Sequence, residues 1–247
     1  MNRPAPRNRT DAGGFREGAV RSPRSSVSVL VPVFNEGNTL NEVVERLLAL
    51  PAVAEIIVVD DGSRDGAFGG FHHKDDCRVR VLRHEQNLGK GAAVRTAIQH
   101  ATGDIVVIQD ADLEYSPEGI PELLEPIKSG LADVVYGTRF HDAATMEAPP
   151  LRNLANRLLT QFSNWATGLS LSDMETGHKA FRREVFSGIE IKENRFGFEP
   201  EITAKLARRG VRLVEVPISY KPRSYADGKK IGFRDGLRAL WCILRYR

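Results

Sequence analysis

The sequence predicts an α/β fold in three layers (α/β/α), in which helices cover both faces of a mostly parallel sheet. Short apolar segments that read as buried strands alternate along the chain with segments of helical periodicity. This alternation is typical of right-handed crossovers between parallel strands. The chain has 247 residues, 41% of them hydrophobic and 27% charged, which is enough for a core and excludes the disordered and fibrous classes.

Each element is predicted from its own pattern. The first strand, 27–33, is largely apolar, and Asn38 is the candidate N-cap of the helix that follows. A second strand at 56–59 is of the buried type found in parallel sheets, whereas 64–77 is predicted to be a loop or a poor helix. Ser116 and Pro117 are typical of a helix start. The remaining predicted elements are strands at 79–83, 105–108, 133–136 and 211–218 and helices after Gly91 and at 151–165, 199–209 and 233–244.

The formal net charge of +3 is distributed unevenly along the chain. Residues 1–26 carry +4 and residues 221–247 carry +6, so the body between them carries −7. We therefore predict a disordered basic tail at 1–26, one domain at 27–232 and an amphipathic basic helix at 233–247.

Cysteine usage and the amino-terminal sequence bear on the compartment. The two cysteines, Cys77 and Cys242, fit neither a disulfide framework nor a zinc site. No apolar leader precedes Val27, and no run approaches the roughly 18 apolar residues of a membrane span. We expect a cytoplasmic protein, for which contact with a membrane surface stays open.

Acidic residues follow three of the predicted strands. Glu36 follows the first strand and Asp61 the second, while Asp110, Asp112 and Glu114 follow the strand at 105–108. The carboxyl ends of parallel strands converge, and carboxylates gathered there repel one another unless a cation joins them. The spacing therefore predicts Mg²⁺ or Mn²⁺ bound by Asp110, Asp112 and Glu114 and bridging to a diphosphate. A solvated acidic loop is the alternative.

Residues 87–91, Asn-Leu-Gly-Lys-Gly, are similar to a phosphate-binding loop at a helix N-terminus. The complete kinase-type loop and the dinucleotide fingerprint are both missing, which disfavours kinases and dehydrogenases. The two glycines are also compatible with close packing, and Lys90 with an ordinary surface charge.

Several motifs carry a resemblance to a known family. They are Val31-Pro32-Val33-Phe34-Asn35-Glu36, Val59-Asp60-Asp61-Gly62-Ser63, Asn87-Leu88-Gly89-Lys90-Gly91, Asp110-Ala111-Asp112-Leu113-Glu114, Gly137-Thr138-Arg139, Asp173-Met174-Glu175-Thr176-Gly177, Phe196-Gly197-Phe198-Glu199 and Glu215-Val216-Pro217-Ile218. Together they resemble family 2 glycosyltransferases of the GT-A fold, in particular the branch similar to dolichyl- and polyprenyl-phosphate mannose or glucose synthases. The resemblance implies a Rossmann-like, three-layer GT-A domain that binds a nucleotide sugar.

The resemblance implies a role for each matching residue. The implied nucleotide-sugar-binding residues are Pro32, Phe34, Glu36, Val59, Asp61, Lys90, Asp110, Ala111, Arg223 and Lys229. Arg223 and Lys229 match a mobile loop that closes over the diphosphate. Asp110 and Asp112 match the metal ligands, whereas Glu114 stands where the family often places Gln.

The implied catalytic residues are Asp112, Arg139, Asp173 and Glu175. Arg139 matches an arginine near the transferring phosphates, and Asp173 or Glu175 would act as a base or bind a sugar hydroxyl. Because a phosphate monoester acceptor is already an anion, we favour orientation over proton removal for these two acids.

The acceptor side is predicted on the helix at 151–165. There the resemblance implies that Arg152 and Asn156 bind the lipid phosphate. The apolar stripe of this helix fits core packing or a membrane face. The stripe at 233–244, flanked by arginines, favours a membrane face.

These inferences predict a metal-dependent, inverting glycosyltransferase that is peripheral at the inner, cytoplasmic face of the membrane. It would move a hexose from GDP-mannose or UDP-glucose to a polyprenyl phosphate. Two alternatives stay open: a family 2 transferase with a soluble saccharide acceptor, and a sugar nucleotidyltransferase, whose Gly-rich loop is absent after the first strand. The acidic body disfavours a specific nucleic-acid partner.

Overall fold

The structure is a computed structural model that describes residues 25–66, 68–140, 150–222 and 233–247, and only the backbone of 150–152 and 233–234. The strands are β1 (Val27–Val33), β2 (Val53–Asp60), β3 (Val79–Arg83), β4 (Ile105–Ile108), β5 (Val134–Thr138), β6 (Lys179–Arg182) and β7 (Leu213–Pro217). The helices are α1 (Leu40–Leu48), α2 (Lys90–His100), α3 (Ile120–Lys128), α4 (Pro150–Thr167), α5 (Phe198–Arg208) and α6 (Phe233–Tyr246). Among the described residues of 64–77 there is no helix or strand, in agreement with the predicted loop.

The seven strands form one sheet in the order β3-β2-β1-β4-β6-β5-β7. β1 pairs in parallel with β2 and β4, β2 with β3, and β5 with β7. Only β6 is antiparallel to its neighbours, β4 and β5. The predicted mostly parallel α/β fold is confirmed, and the ends of β2, β1 and β4 lie side by side.

The helices cover both faces of the sheet because strand side chains alternate between two apolar cores. Val29 and Val31 of β1 belong to the core that includes α1 and α3, whereas Leu30 belongs to the core that includes α2 and α5. A strand that is buried on both faces has a nearly continuous apolar sequence. For this reason β1, β2 and β4 could be predicted from short apolar runs.

Two helix starts differ from the prediction. The N-cap of α1 is Thr39 rather than Asn38. A 3₁₀ turn over Pro117–Gly119 precedes α3, so the α-helix begins at Ile120, later than the sequence predicts.

Strand β6 is absent from the sequence prediction. It has four residues, begins with Lys179 and ends with Arg182, so it lacks the apolar pattern of the other central strands. Both side chains are nevertheless buried. Arg182 donates to the carbonyl of Ile127 at 2.7 Å and lies 3.3 Å from Asp133. These partners are distant in sequence, and a local pattern does not show them.

The end of the predicted tail is part of the domain. The carbonyl of Ser26 accepts a hydrogen bond from the Ile105 amide at 3.0 Å. The Ser26 amide donates to the Asp104 carboxylate at 3.1 Å. The boundary of the ordered domain therefore precedes Val27, and residues 1–24 lie outside the described residues.

His178 is a buried neutral histidine immediately before β6. It is 1% exposed, and neither ring nitrogen has a hydrogen-bond partner among the described residues. Its ring lies 5.5 Å from that of Tyr115. Burial lowers the pKa of His178 to about 4.

We expect His178 to make the free energy of unfolding fall by about 3 kcal/mol as the pH decreases from about 6.5 to about 4. In that range His178 binds a proton in the unfolded protein but not in the folded protein. The free energy of unfolding therefore keeps its full value above the range and has lost the whole contribution of His178 below it. Denaturant unfolding of His178→Leu should show a smaller pH dependence than the wild type. The exposed His72 gives the control, His72→Leu. An unchanged pH dependence in His178→Leu would contradict the assignment.

Candidate active site

The three predicted acidic clusters lie at one end of the sheet. Val33 of β1 pairs with Asp60 of β2, and Leu30 of β1 pairs with Ile108 of β4. The residues that follow β1 and β4 include backbone in an unusual conformation. Among the described non-glycine residues, only Asn35 (φ 54°) and Leu113 (φ 59°) are left-handed. Such conformations are costly and cluster at functional sites, so the backbone marks the same place as the carboxylates.

Asp61 is buried, and its carboxylate holds the segment that leads into α2. Its oxygens accept hydrogen bonds from the amides of Leu88 (2.9 Å) and Gly89 (2.7 Å), and Oδ1 lies 2.7 Å from His84 Nδ1. Gly89 has a φ of 105°, which favours glycine. Asp61 therefore supports the 87–91 loop, and its contact with a nucleotide stays a prediction.

Lys90, the first residue of α2, lies between two acidic side chains. Its Nζ is 2.9 Å from Asp110 Oδ1 and 3.2 Å from Glu199 Oε1. Burial alone would lower the pKa of Lys90, but the charges of Asp110 and Glu199 outweigh it and raise that pKa. The side chain is only 15% exposed. An ordinary surface charge does not fit this placement, and direct nucleotide contact stays a prediction.

Arg139, directly after β5, forms a two-pronged ion pair with Asp173. Its Nε and Nη2 donate to the Asp173 oxygens at 2.6 and 2.7 Å, and its backbone amide donates at 3.1 Å. Glu215 of β7 accepts a hydrogen bond from the Asp173 amide at 2.9 Å. A carboxylate held in this way is suited to positioning Arg139.

Glu175 and Glu199 bring two carboxyl groups into the interior near Lys179. Glu175 Oε1 and Glu199 Oε2 are enclosed and lack hydrogen-bond partners among the described residues. Burial, reinforced by the charge of Glu199, raises the pKa of Glu175 well above that of an ordinary glutamate, and burial lowers the pKa of Lys179. The shift favours Glu175 as a protonated hydrogen-bond donor over Glu175 as a base.

Asp110 and Asp112, the predicted metal ligands, follow the end of β4. Asp112 accepts a hydrogen bond from the Glu114 amide at 3.0 Å, and Glu114 accepts one from the Tyr220 hydroxyl at 3.2 Å. In the described part of the chain, no three His, Cys, Asp or Glu side chains form a group that could hold a metal. The predicted three-residue set with Glu114 is therefore not assembled. The pair Asp110 and Asp112 does fit Mg²⁺, which often uses one or two carboxylates with water and substrate phosphates.

The other predicted nucleotide-binding residues differ in solvent access. Pro32, Phe34 and Glu36 are half-buried at the end of β1. Val59 and Ala111 are buried, with at most 2% exposed. The Val59 side chain packs in the core that includes α2, so a side-chain contact with a nucleotide does not fit this structure.

Part of the predicted phosphate-binding set lies outside the described residues. The side chains that lie outside the described residues are Arg152, Arg223 and Lys229. Asn156 is half-buried on α4, and its neighbour Arg157 is exposed. The guanidinium groups of Arg157 and Arg139 lie over the Phe140 ring, 5.1 and 5.9 Å from its centre. Phe140 thereby links the buried Arg139 to α4.

Helices α4 and α6 contact each other, and each exposes large apolar side chains. We call these the apolar surface residues: Leu154, Leu158 and Trp165 of α4 and Leu237, Leu240, Trp241 and Leu244 of α6, each 38–68% exposed. Both tryptophans of the chain are among them. On α6 a separate set, Ala239, Cys242 and Ile243, is buried. The described helices include none with the length and apolar character needed to cross a membrane.

The sequence prediction assigned no role to several residues that contact the site. Tyr220 forms a β-bridge with Tyr115, and its ring lies 5.3 Å from the Arg139 guanidinium. Glu199 forms an ion pair with Lys90, and Glu215 accepts a hydrogen bond from the Asp173 amide. Both glutamates lie within motifs that match the family, which is the signal that could have identified them.

Known proteins are similar to this chain over most of its length. A model described as "Glycosyl transferase family 2" matches residues 28–189. The undecaprenyl-phosphate mannosyltransferase of Micrococcus luteus is 30% identical over 90% of this chain and 98% of its own. The dolichol-phosphate mannosyltransferase of Pyrococcus furiosus is 32% identical over 83% of this chain. The chain spans 59% of that protein and 35% of glycosyltransferase AglD of Haloferax volcanii.

Solved structures share the fold. Glucosyl-3-phosphoglycerate synthase from Mycobacterium tuberculosis, in complex with Mn²⁺, uridine diphosphate and phosphoglyceric acid, has a TM-score of 0.70 to this chain. The match covers 90% of this chain and 78% of that one at 20% identity, which shows the GT-A fold alone. With the family model spanning β1 to β6, the chain is a glycosyltransferase that belongs to glycosyl transferase family 2.

Proposed function

We propose that this protein transfers mannose or glucose from GDP-mannose or UDP-glucose to a polyprenyl phosphate at the cytoplasmic face of a membrane. The proposal includes inversion at the anomeric carbon and dependence on Mg²⁺ or Mn²⁺. The observation that carries it is the match to the Micrococcus luteus undecaprenyl-phosphate mannosyltransferase, which covers 90% of this chain and 98% of the relative.

The donor half of the proposal rests on the strand-end site. Asp110 and Asp112 would hold the divalent cation, which neutralises the charge of the departing nucleoside diphosphate. Lys90 adds a protonated ammonium 2.9 Å from Asp110. Asp173 holds Arg139 by two hydrogen bonds, so its guanidinium has one orientation.

The acceptor half rests on the apolar surface residues. A polyprenyl chain needs apolar surroundings, and exposed tryptophan beside arginine is typical of a protein surface that contacts lipid headgroups. Arg245 and Arg247 are exposed near the end of α6 and suit anionic headgroups. Thr160 of α4 accepts a hydrogen bond from the Met174 amide at 3.1 Å, so this helix contacts the segment that carries Asp173 and Glu175.

The reaction needs positioned charge more than a base. In an inverting transfer, a phosphate oxygen of the acceptor bonds to the anomeric carbon while the bond to the nucleoside diphosphate breaks. The acceptor oxygen is already anionic, so no proton has to be removed. The raised pKa of Glu175 agrees with this, since a protonated Glu175 can donate a hydrogen bond to a sugar hydroxyl.

Transfer of radiolabelled sugar tests the proposal directly. With Mn²⁺ and undecaprenyl phosphate in detergent, label from GDP-mannose or UDP-glucose should enter the organic phase. Omission of the lipid phosphate is the control. Absence of lipid-linked product with both donors would contradict the proposed acceptor, and label in a water-soluble glycoside would favour a soluble acceptor.

Asp112→Asn tests the cation site. Loss of one of two carboxylates should weaken Mn²⁺-dependent binding of GDP or UDP by at least about tenfold in calorimetry. Asp104→Asn, at the opposite end of β4, is the matched control and should bind like the wild type. Equal binding by the two variants would remove Asp112 from the cation site.

Charge on α6 tests the lipid surface. In the double variant Leu237→Glu with Leu244→Glu, two side chains that are 53% and 47% exposed become anionic. Co-sedimentation with phosphatidylglycerol vesicles should fall by about tenfold or more, because apolar burial is lost and repulsion is added. Leu131→Glu, at a site that is 65% exposed on the turn after α3, should bind vesicles like the wild type. Vesicle binding that is insensitive to the α6 changes would contradict the proposed surface.

A further inference from the structure

Glu199 makes a contact in the donor site that the proposed function does not use. Its Oε1 lies 3.2 Å from Lys90 Nζ, and the same Nζ lies 2.9 and 3.0 Å from the two oxygens of Asp110. Glu199 is 4% exposed. One largely buried ammonium, on a side chain that is 15% exposed, is therefore shared between a predicted cation ligand and a second carboxylate.

The backbone fixes the distance between Lys90 and Glu199. Glu199 lies in the first turn of α5, and the segment before that helix packs on the start of α2. The Ala92 amide donates to the Asn194 carbonyl at 3.0 Å. A Cβ placed on Gly91 would lie 2.2 Å from the Glu193 carbonyl oxygen and 3.1 Å from Phe198 Cβ. The two helix starts are thus in direct contact, and glycine permits the approach.

The balance of charge around Lys90 explains what its contact with Glu199 would do. Asp110 cannot offer the same oxygen fully to both Lys90 and a divalent cation. A buried ammonium that loses its counter-charge is strongly unfavourable. With Glu199 present, Lys90 keeps an anionic partner when Asp110 turns to a cation. Without Glu199, Lys90 would depend on Asp110 alone and would compete with the cation for it.

We propose that Glu199 is a positioning residue of the donor site: by sharing the Lys90 ammonium, it leaves Asp110 available to a divalent cation bound with a nucleoside diphosphate. The inference rests on the cation and donor part of the proposed function and is independent of the lipid acceptor.

A double-mutant cycle on binding tests the inference. Binding of UDP and GDP in the presence of Mn²⁺ is measured by calorimetry for the wild type, Glu199→Gln, Lys90→Met and the double variant. Glu199→Gln should weaken binding by about tenfold when Lys90 is present, because one charge-assisted contact is lost. In the Lys90→Met background the same change should have an effect of less than about twofold.

Glu55→Gln is the matched control. Glu55 is a hydrogen-bonded glutamate of β2 whose partners are Ser28 and Thr102, on β1 and just before β4. Its variant should bind the nucleotides like the wild type. Thermal unfolding of each variant checks the fold. If Glu199→Gln does not fold, Glu199→Asp, which keeps the charge on a shorter side chain, takes its place in the cycle with a smaller expected loss.

Three outcomes would overturn the inference. They are an equal loss in both backgrounds, no loss in either, and a wild type that binds neither nucleotide with Mn²⁺. The last would also contradict the cation site. The binding test contains no lipid. If binding behaves as expected and the transfer assay fails, that failure counts against the proposed acceptor and not against the role of Glu199.

Discussion

The need to pair buried charges constrains the centre of this molecule. Below the strand ends, acidic and basic side chains are largely withdrawn from water, where an unpaired charge is costly. The acids are Asp110, Asp173, Glu175 and Glu199, and the bases are Lys90, Arg139 and Lys179. Because the three bases come from α2, the end of β5 and the start of β6, these elements must adopt one relative arrangement. The antiparallel insertion of β6 between β4 and β5 brings Lys179 into that cluster.

The second requirement is that the backbone at Gly177 passes close to the ion pair of Lys90 and Asp110. A Cβ on Gly177 would lie 2.4 Å from Asp110 Oδ2 and 3.1 Å from Lys90 Nζ. A larger residue would have to displace the very ion pair that holds Asp110. The Asp-Met-Glu-Thr-Gly motif therefore contains a steric condition as well as acidic residues. Asp173 pairs with Arg139, while Gly177 leaves space for the neighbouring pair.

The sequence predicted those parts of the fold and site that depend on local patterns. β1, β2 and β4 have continuous apolar runs because both of their faces are buried, and Asp110 and Asp112 could be located because they follow such a run. β6 was missed because its first and last residues, Lys179 and Arg182, are charged, and the partners that allow Arg182 to be buried, Ile127 and Asp133, are distant in sequence. The same reason applies to Glu199, whose partner Lys90 lies on another helix. Local patterns identify a strand end, but they do not show which distant charge neutralises it.

One segment of the chain connects the proposed acceptor side with the proposed donor side. Glu193, which is 6% exposed, accepts two hydrogen bonds from Arg238 at 3.0 Å and one from the Tyr246 hydroxyl at 2.9 Å. These contacts hold α6 against the segment that leads to Glu199 and packs on the start of α2, where Lys90 lies. The proposed transfer to a lipid phosphate would require a fixed distance between the membrane surface and the diphosphate. The helix that carries the exposed Trp241 is held to this segment by the Arg238–Glu193 ion pair and by the Tyr246 hydrogen bond, and these contacts would fix that distance in the proposed transfer.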